Sequence, residues 1–536
     1  MKLPNNKGKS LYILMLIVYV AVLLPFIKKG TPDNDLYFLA NTGKYILQNG
    51  FPHINPFCIT QGLNIVIQNW MCCVLVYLTY CRLGLIGLMI LGVSYMILNT
   101  YMQIRIIKLY TDSYLIQFIL IVANAITTIN YYNLRGTALT MSLLLLEVEL
   151  LIRYERSGRK KYIVPVPLIA WVIANWQAAY CLFVPILMLP FLMPKQIIDL
   201  VINTARQYRT NKEYYLTLIG TFLISAIIPV ANPYGTGAVL YSINAAGSMS
   251  LRLVNEHKEV SFICTQAPLL LMGVILTTIY LYKKKEHSDL RILLLYIGTA
   301  VISFYMSKNA IFVLFALPIE AVVLDDIKNN IKKGMVWRKV YKVFVPQKAT
   351  MYIVTVTLML TILTAALIIL PFTVFSRSDG TVDCQYTPLD AKEYLDKCSI
   401  AKSRIKILSS FNNGGYFEWN GYKVYIDARP EIYDKKINGK ENIFSNMADD
   451  MTSPDKLRIL IEKYQFTHVF ALKGSTEYYF MMNEIDGYRP VLVGNNREYQ
   501  LFERKERKYK TKNKTISPLL PDERGKILID QVFVQK

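Results

Sequence analysis

Charge is what this 536-residue sequence has little of: only 18% of its residues are Asp, Glu, Lys or Arg, against 53% hydrophobic. A water-soluble chain of this length carries more charge and splits into several domains. The eight cysteines form no metal-binding pattern. Cys72, Cys73, Cys81 and Cys181 lie in or beside apolar segments, where cysteine behaves as a small hydrophobe. Cys384 and Cys398 fall in the polar C-terminal part, and both readings, paired and unpaired, stay open for them. The two adjacent glycines Gly414 and Gly415 are followed by no Gly-x-Gly-x-x-Gly and no Lys-Ser/Thr, so a tight turn fits better than a phosphate loop. No small-x-small cleavage site follows the first apolar run, Leu11 to Ile27, which argues for a retained helix over a removed signal peptide.

What is present is a series of apolar runs. Stretches of roughly 18 residues or more, the length that crosses a bilayer, recur over the first two thirds. Mean hydropathy is +0.29 and net charge +22. Most of the excess charge lies in loops between the runs, so the positive-inside bias accounts for it without a nucleic acid. Basic loops at 153–161, 195–212, 283–285 and 328–348 mark one side as cytoplasmic. Between them run the pairs 162–179 with 180–194, 214–231 with 265–282, and 289–306 with 309–325, and a last run at 351–375. The front end adds 11–27, 84–107, 113–131 and 136–152, for about eleven spans with the N-terminus in and the C-terminus out. Parity then places 66–82, with Trp70, Tyr77 and Tyr80, in the outer interface or as a re-entrant segment.

That topology collects polar residues on one face. Asp33, Asp35 and His53 stand in the first outer loop; Arg135, Asn175 and Lys308 at outer span ends; Asn232 and Glu256 in the second long outer loop. Each has a local explanation: helix caps for the aspartates, turns for His53 and Asn232-Pro-Tyr-Gly235, snorkelling for Arg135 and Lys308, a helix–helix bond for Asn175. Together, cations and carboxylates at one membrane face suggest a phosphate site with a base or metal ligand beside it.

From Ser376 the pattern changes. Segments 404–409, 423–427 and 467–472 read as buried strands, 453–464 as an amphipathic helix with Ser453 as N-cap and Pro454 at its first position, and 489–503 as a hairpin around 494–496. This is a small, mostly parallel α/β domain with an antiparallel edge. Asp427 and Arg429 read either as a structural pair or as acceptor-binding residues at a strand end. The basic tail, 504–536, is a solvated run or a contact for anionic lipid or polymer. The expected domains are thus a membrane domain over 1–375, whose outer loop 28–82 holds an in-plane helix, an extracytoplasmic domain over 376–503, and the tail.

The same residues carry a resemblance. The chain resembles bacterial multi-pass glycosyltransferases of the C structural class (GT-C), in a branch that opens on Asp-x-Asp-x-aromatic-x-x-x-x-Gly. The matching residues are Asp33, Asp35, Tyr37, Phe38 and Gly43, then Gly50-Phe-Pro, Asn55-Pro-Phe57, Trp171 with Asn175, Asn232-Pro-Tyr-Gly235, Glu256, Lys308-Asn309, Phe411-Asn-Asn-Gly-Gly-Tyr416 and Ile426-Asp-Ala-Arg429. It departs from that pattern at Asn69, Gln177 and Lys308, where the branch usually has Glu, His and Arg, so positions 69 and 177 receive no catalytic role.

The resemblance implies transfer of a sugar from a polyprenyl-phosphate-linked donor to a cell-envelope glycan, lipid or protein at the cell membrane's non-cytoplasmic side. Asp35 is the implied base, with Asp33 second. His53, Arg135, Asn175, Asn232, Glu256 and Lys308 are the implied substrate-binding residues. A divalent metal, Mg or Mn, on Asp33 and Asp35 is left open. Competing readings are a polysaccharide polymerase or ligase, a transporter or flippase, and a non-enzymatic envelope-assembly protein. A transporter should show inverted repeats and mid-bilayer charge, and the sequence has neither.

Overall fold

The computed structural model describes residues 6–29, 35–128, 131–132, 136–195, 211–246, 267–284, 289–305, 307–333, 388–491 and 498–505. Asp33, Arg135, Glu256, Cys384, the run 351–375 and all but the first two residues of the basic tail lie outside them. Backbone contacts divide the chain into two units. One comprises Met1–Thr31, Leu88–Asn232 and Lys258–Ser378; the other comprises Pro32–Gly87, Pro233–His257 and Asp379–Lys536.

The first unit is a helical bundle. Its helices include Asn6–Lys29, Tyr114–Thr128, Thr137–Ser157, Val166–Trp176, Phe183–Leu192, Lys212–Ile227, Ala267–Lys284, Leu290–Tyr305 and Leu317–Lys333. Ser307–Ala316 winds as a 3-10 helix before the last of these. Each falls within or beside a run expected to span. Among the described residues, two helices are long and apolar enough to cross a bilayer, Trp70–Ile107 and Lys212–Val230 with its terminal 3-10 turn. Outward faces are aliphatic: Leu115, Leu168, Leu216, Ile227, Ile275 and Val301 are all more than half exposed. Such faces suit a hydrocarbon environment rather than water. The total of eleven spans stays a proposal, since the last run is not described.

The bundle interior is aromatic on one side and polar on another. Phe183 stacks on Phe312 with ring centroids 4.7 Å apart, and Tyr180 lies beside both. Asn99 is fully buried, donates to Ser142 (3.3 Å), and accepts from Gln103 (2.8 Å) and Tyr132 (3.2 Å). Amides and hydroxyls bonded across helices satisfy groups that a hydrocarbon medium cannot.

The helix Trp70–Ile107 is interrupted at Gly84, which takes φ 59° and ψ −149°. This break separates 70–83 from 85–107, at the boundary between the expected in-plane segment and the first following span. Only glycine adopts that backbone at little cost.

The second unit contains a five-stranded sheet: β1 Lys406–Ser409, β2 Lys423–Val424, β3 His468–Leu472, β4 Tyr488–Val491 and β5 Tyr499–Arg504, in the order β2-β1-β3-β5-β4. The strands β2, β1 and β3 are parallel, as their continuous apolar runs suggest. The hairpin of β4 and β5 forms as expected, with one refinement. The antiparallel strand β5 sits between β3 and β4 rather than at the edge. Helix Pro454–Tyr464 begins as read from the sequence, with Ser453 accepting from the Lys456 amide at 3.3 Å. The edge strand β2 is covered by the first loop of the same unit: the Ile59 amide donates to the Val424 carbonyl at 2.8 Å. Covering an edge removes a template for unwanted pairing.

Candidate functional site

In the first unit, polar contacts gather at opposite ends of the helices. At one end, Glu155 receives Lys195 (3.0 Å) and Arg291 (3.4 Å), and Arg156 donates to the Leu109 carbonyl. These groups border the basic loops that the sequence marks as cytoplasmic. At the other end the described side-chain contacts are between uncharged groups. Trp176 donates to the Gly136 carbonyl at 2.9 Å. Gln177 accepts from Thr140 (3.0 Å) and donates to Thr137 (3.2 Å). Buried Asn175 donates to the carbonyls of Trp171 (2.9 Å) and Ala231 (3.3 Å), and Trp171 donates to the same Ala231 carbonyl. Asn232 donates to Pro229 at 2.5 Å. Gln177 is therefore a cross-brace between helix ends. Asn175 holds the end of the helix preceding it to the Ala231 turn. Lys308 stands in the first turn of Ser307–Ala316, next to buried Asn309.

In the second unit, the motifs that carried the resemblance pack on one another. Asp35 precedes helix Leu36–Asn49 and is 8% exposed. Its backbone carbonyl accepts from Leu39, while its carboxylate makes no capping bond to that helix, so a cap does not account for it. Gly43 has a steric cause: a Cβ there would lie 2.2 Å from the Cys73 carbonyl oxygen. Gly414 has the same one, 2.0 Å from the Ile426 oxygen, and a Cβ on Gly415 would press on Phe38. Gly414 thus lets helix Gly414–Trp419 approach the Ile426 backbone, and Gly415 lets it lie against helix Leu36–Asn49 at Phe38.

Asn55 forms a turn by accepting from the Phe57 amide at 3.0 Å, which presents the Phe57 ring. Phe51 packs edge-on against Trp70 and Tyr234, and the exposed His53 ring lies 5.4 Å from the Tyr234 ring. Tyr234 also donates to the Pro52 carbonyl at 3.0 Å, so the Asn-Pro-Tyr-Gly segment docks on the Gly-Phe-Pro turn. Tyr77 and Tyr80 meet Trp419 at 6.2 and 5.8 Å. Tyrosine and tryptophan grouped in this way suit a membrane–water interface.

Arg429 is the centre of this unit. Its guanidinium lies over the rings of Phe57 (4.7 Å) and Phe38 (5.4 Å), within cation–π range. It pairs with Asp427, reaches Glu418 at 3.3 Å, and donates to Thr42 at 3.4 Å. Asp427 is fully buried and also accepts from the Arg429 amide at 3.0 Å. The positive charge of Arg429, with its close hydrogen bonds, holds the Asp427 carboxyl below its ordinary range against the cost of burial. Burial and the neighbouring Asp427 charge push Glu418 well above its ordinary value. The cluster therefore favours the charged form at Asp427 and the neutral form at Glu418, around the Arg429 cation. Of the two readings open for Asp427 and Arg429, this geometry favours the structural pair. Phe38 and Phe57 belong to the motifs that carry the resemblance, whereas Thr42 and Glu418 were not singled out in the sequence, although Glu418 within an aromatic run was a visible signal.

No protein-family model matches the chain, and no curated protein matches it in sequence. Solved structures do. The fold is similar to that of an archaeal oligosaccharyltransferase. The Archaeoglobus fulgidus enzyme, tethered with an acceptor peptide containing the NVT sequon via a disulfide bond, aligns with a TM-score of 0.51 at 12% identity, over 88% of this chain and 70% of that one. Its apo form aligns with a TM-score of 0.50 at 12% identity, over 88% and 71%. Its complex with Zn and sulfate does so at 0.50 and 13%, over 88% and 70%. At this identity the likeness speaks for the fold, and it agrees with the GT-C class at that level.

Proposed function

We propose that the chain is a membrane glycosyltransferase of about eleven spans that transfers a sugar from a polyprenyl-phosphate-linked donor to an acceptor on the non-cytoplasmic side. The Asp-x-Asp branch supplies the detail, and a cell-envelope glycan, lipid or protein is the acceptor class. The observation that carries this reading is the place of Asp35: a largely buried acidic residue at the start of helix Leu36–Asn49, in a fold similar to that of an oligosaccharyltransferase.

Asp35 takes the proton of the acceptor group as its heteroatom bonds to the anomeric carbon. The bond from that carbon to the phosphate oxygen breaks, and polyprenyl phosphate leaves with the electron pair. General-base help of this kind is worth about 10²–10⁴-fold. Arg135 and Lys308 are assigned to the donor phosphate, whose charge grows as it departs. His53, Asn175, Asn232 and Glu256 are assigned to positioning the substrates. Carboxylate oxygens are hard donors and fit Mg or Mn. Asp33 and Asp35 would hold such an ion, and its charge would add to that of the cations against the phosphate.

Native mass spectrometry of the full chain, extracted gently from membranes, tests the donor class. The expected result is a bound isoprenoid phosphate, or its glycosylated form, that is depleted in Lys308→Ala. Recovery of bulk phospholipid alone from both proteins would contradict the reading.

A further inference from the structure

A second constellation lies in the sheet-containing unit, away from Asp35 in sequence and from the Arg429 cluster in composition. Cys398 ends helix Leu389–Lys397, His468 opens β3, and Glu503 stands directly across from His468 on β5. Their sulfur, nitrogen and oxygen donor atoms all lie within 4.8 Å of one another. Residues directly opposite on antiparallel strands point to the same face, so the pairing of His468 with Glu503 follows from register.

The hydrogen bonds around the histidine fix what it presents. The Thr467 hydroxyl donates to the Lys406 carbonyl at 3.0 Å and accepts from the Lys406 amide at 2.9 Å. Its proton is thereby committed, so at 3.0 Å it accepts from His468 Nδ1, which carries the hydrogen. That leaves the lone pair on Nε2. This atom is fully buried and has no hydrogen-bond partner. It faces Glu503 Oε1 at 4.0 Å. The other glutamate oxygen, Oε2, accepts from Tyr394 (3.1 Å) and from Arg489 (2.8 Å), which holds the carboxylate in place. The bare Nε2 and the Glu503 carboxylate thus face one another as two electron-pair donors. The Cys398 thiol, half-buried, donates weakly to the Tyr394 carbonyl at 3.5 Å.

We infer that Cys398, His468 and Glu503 form a binding site for a zinc-class divalent cation, which pins the end of helix Leu389–Lys397 to the central strands of the sheet. Sulfur, imidazole and carboxylate together suit zinc better than Mg or Mn. Bond lengths of about 2.0–2.3 Å in a tetrahedral site require the donors to close by roughly 1 Å. The committed Nδ1 and the anchored Oε2 are the outer contacts that orient such ligands. Binding releases the thiol proton to solvent, and the fourth position is open to water.

The test uses full-length protein in detergent, stripped with chelator and titrated with zinc or cobalt(II). In wild type, zinc should protect Cys398 from alkylation, read by peptide mass spectrometry, at least tenfold in rate. Cobalt should give a sulfur-to-metal charge-transfer band that is absent in Cys398→Ser and lost or shifted in His468→Gln. Metal held by Asp33 and Asp35 produces no such band, so this result is independent of the catalytic reading. Equal alkylation with and without zinc would overturn the inference. So would recovery of Cys398 in a disulfide with Cys384 that metal leaves unchanged.

Discussion

The two units handle buried polarity in different ways. In the helical bundle it is spread thin and mostly neutral: Asn99, Asn175 and Gln177 each join neighbouring helices through one or two amide bonds. In the sheet-containing unit it is concentrated at Arg429, where three ionisable groups and two aromatic rings share one buried site. The difference follows from the medium. Charge is costly at membrane depth, so the bundle joins its helices largely with amides and hydroxyls and has ion pairs such as Arg105–Glu149 and Lys195–Glu155 towards helix ends. A unit outside the membrane, as proposed for the sheet-containing one, can bury a guanidinium if the partners are complete. One consequence is that Asp427, Arg429 and the Gly414–Gly415 pair, which could be read as ligand contacts in the sequence, pack the sheet-containing unit.

Substitutions can sharpen that contrast. The largest effect is expected at Arg429. Arg429→Ala strands the Asp427 charge and should destabilise the unit by about 3–5 kcal/mol. Limited proteolysis of 388–505 should reveal it, and Arg429→Lys should recover little, because a lysine cannot stack flat between Phe38 and Phe57. A smaller effect, visible through pH, is expected at Glu418. Its folded pKa lies above the unfolded value, so its contribution is complete below about 4.5 and declines as pH rises through the folded value. Asp427 is shifted the other way, and its contribution is lost as pH falls through a lowered value. Glu418→Gln should therefore remove the loss of stability on the alkaline side and keep the loss on the acid side. A thermal-shift series across pH would show it; an unchanged profile would mean that Glu418 is ionised in the fold. The smallest effect belongs to the bundle. Gln177→Ala gives up bonds to Thr137 and Thr140 and should cost only about 0.6 kcal/mol for each, the average for such bonds in membranes.

Much of this was legible in the sequence, because hydropathy and turn chemistry act locally. The runs at 113–131 and 214–231, the Ser453–Pro454 helix start and the hairpin before residue 503 all rest on neighbours in the chain. What was not legible depends on residues far apart. Nothing local says that Phe57 will cover Arg429, or that Gly43 makes room for the Cys73 carbonyl. The pairing of His468 with Glu503 likewise depends on strand register, and β5 lying inside the sheet depends on strand order. Read from sequence alone, Asp427 and Gly414–Gly415 were open to either a ligand or a structural role. Their surroundings favour the structural one.

The account as a whole stands on the carboxylate of Asp35 acting in catalysis rather than in folding. Its most direct test is transfer of labelled sugar from a polyprenyl-phosphate donor in proteoliposomes, comparing wild type with Asp35→Asn at matched thermal stability. The expected result is a rate lower by about 10²–10⁴-fold with donor still bound. Equal transfer by the two proteins would contradict it.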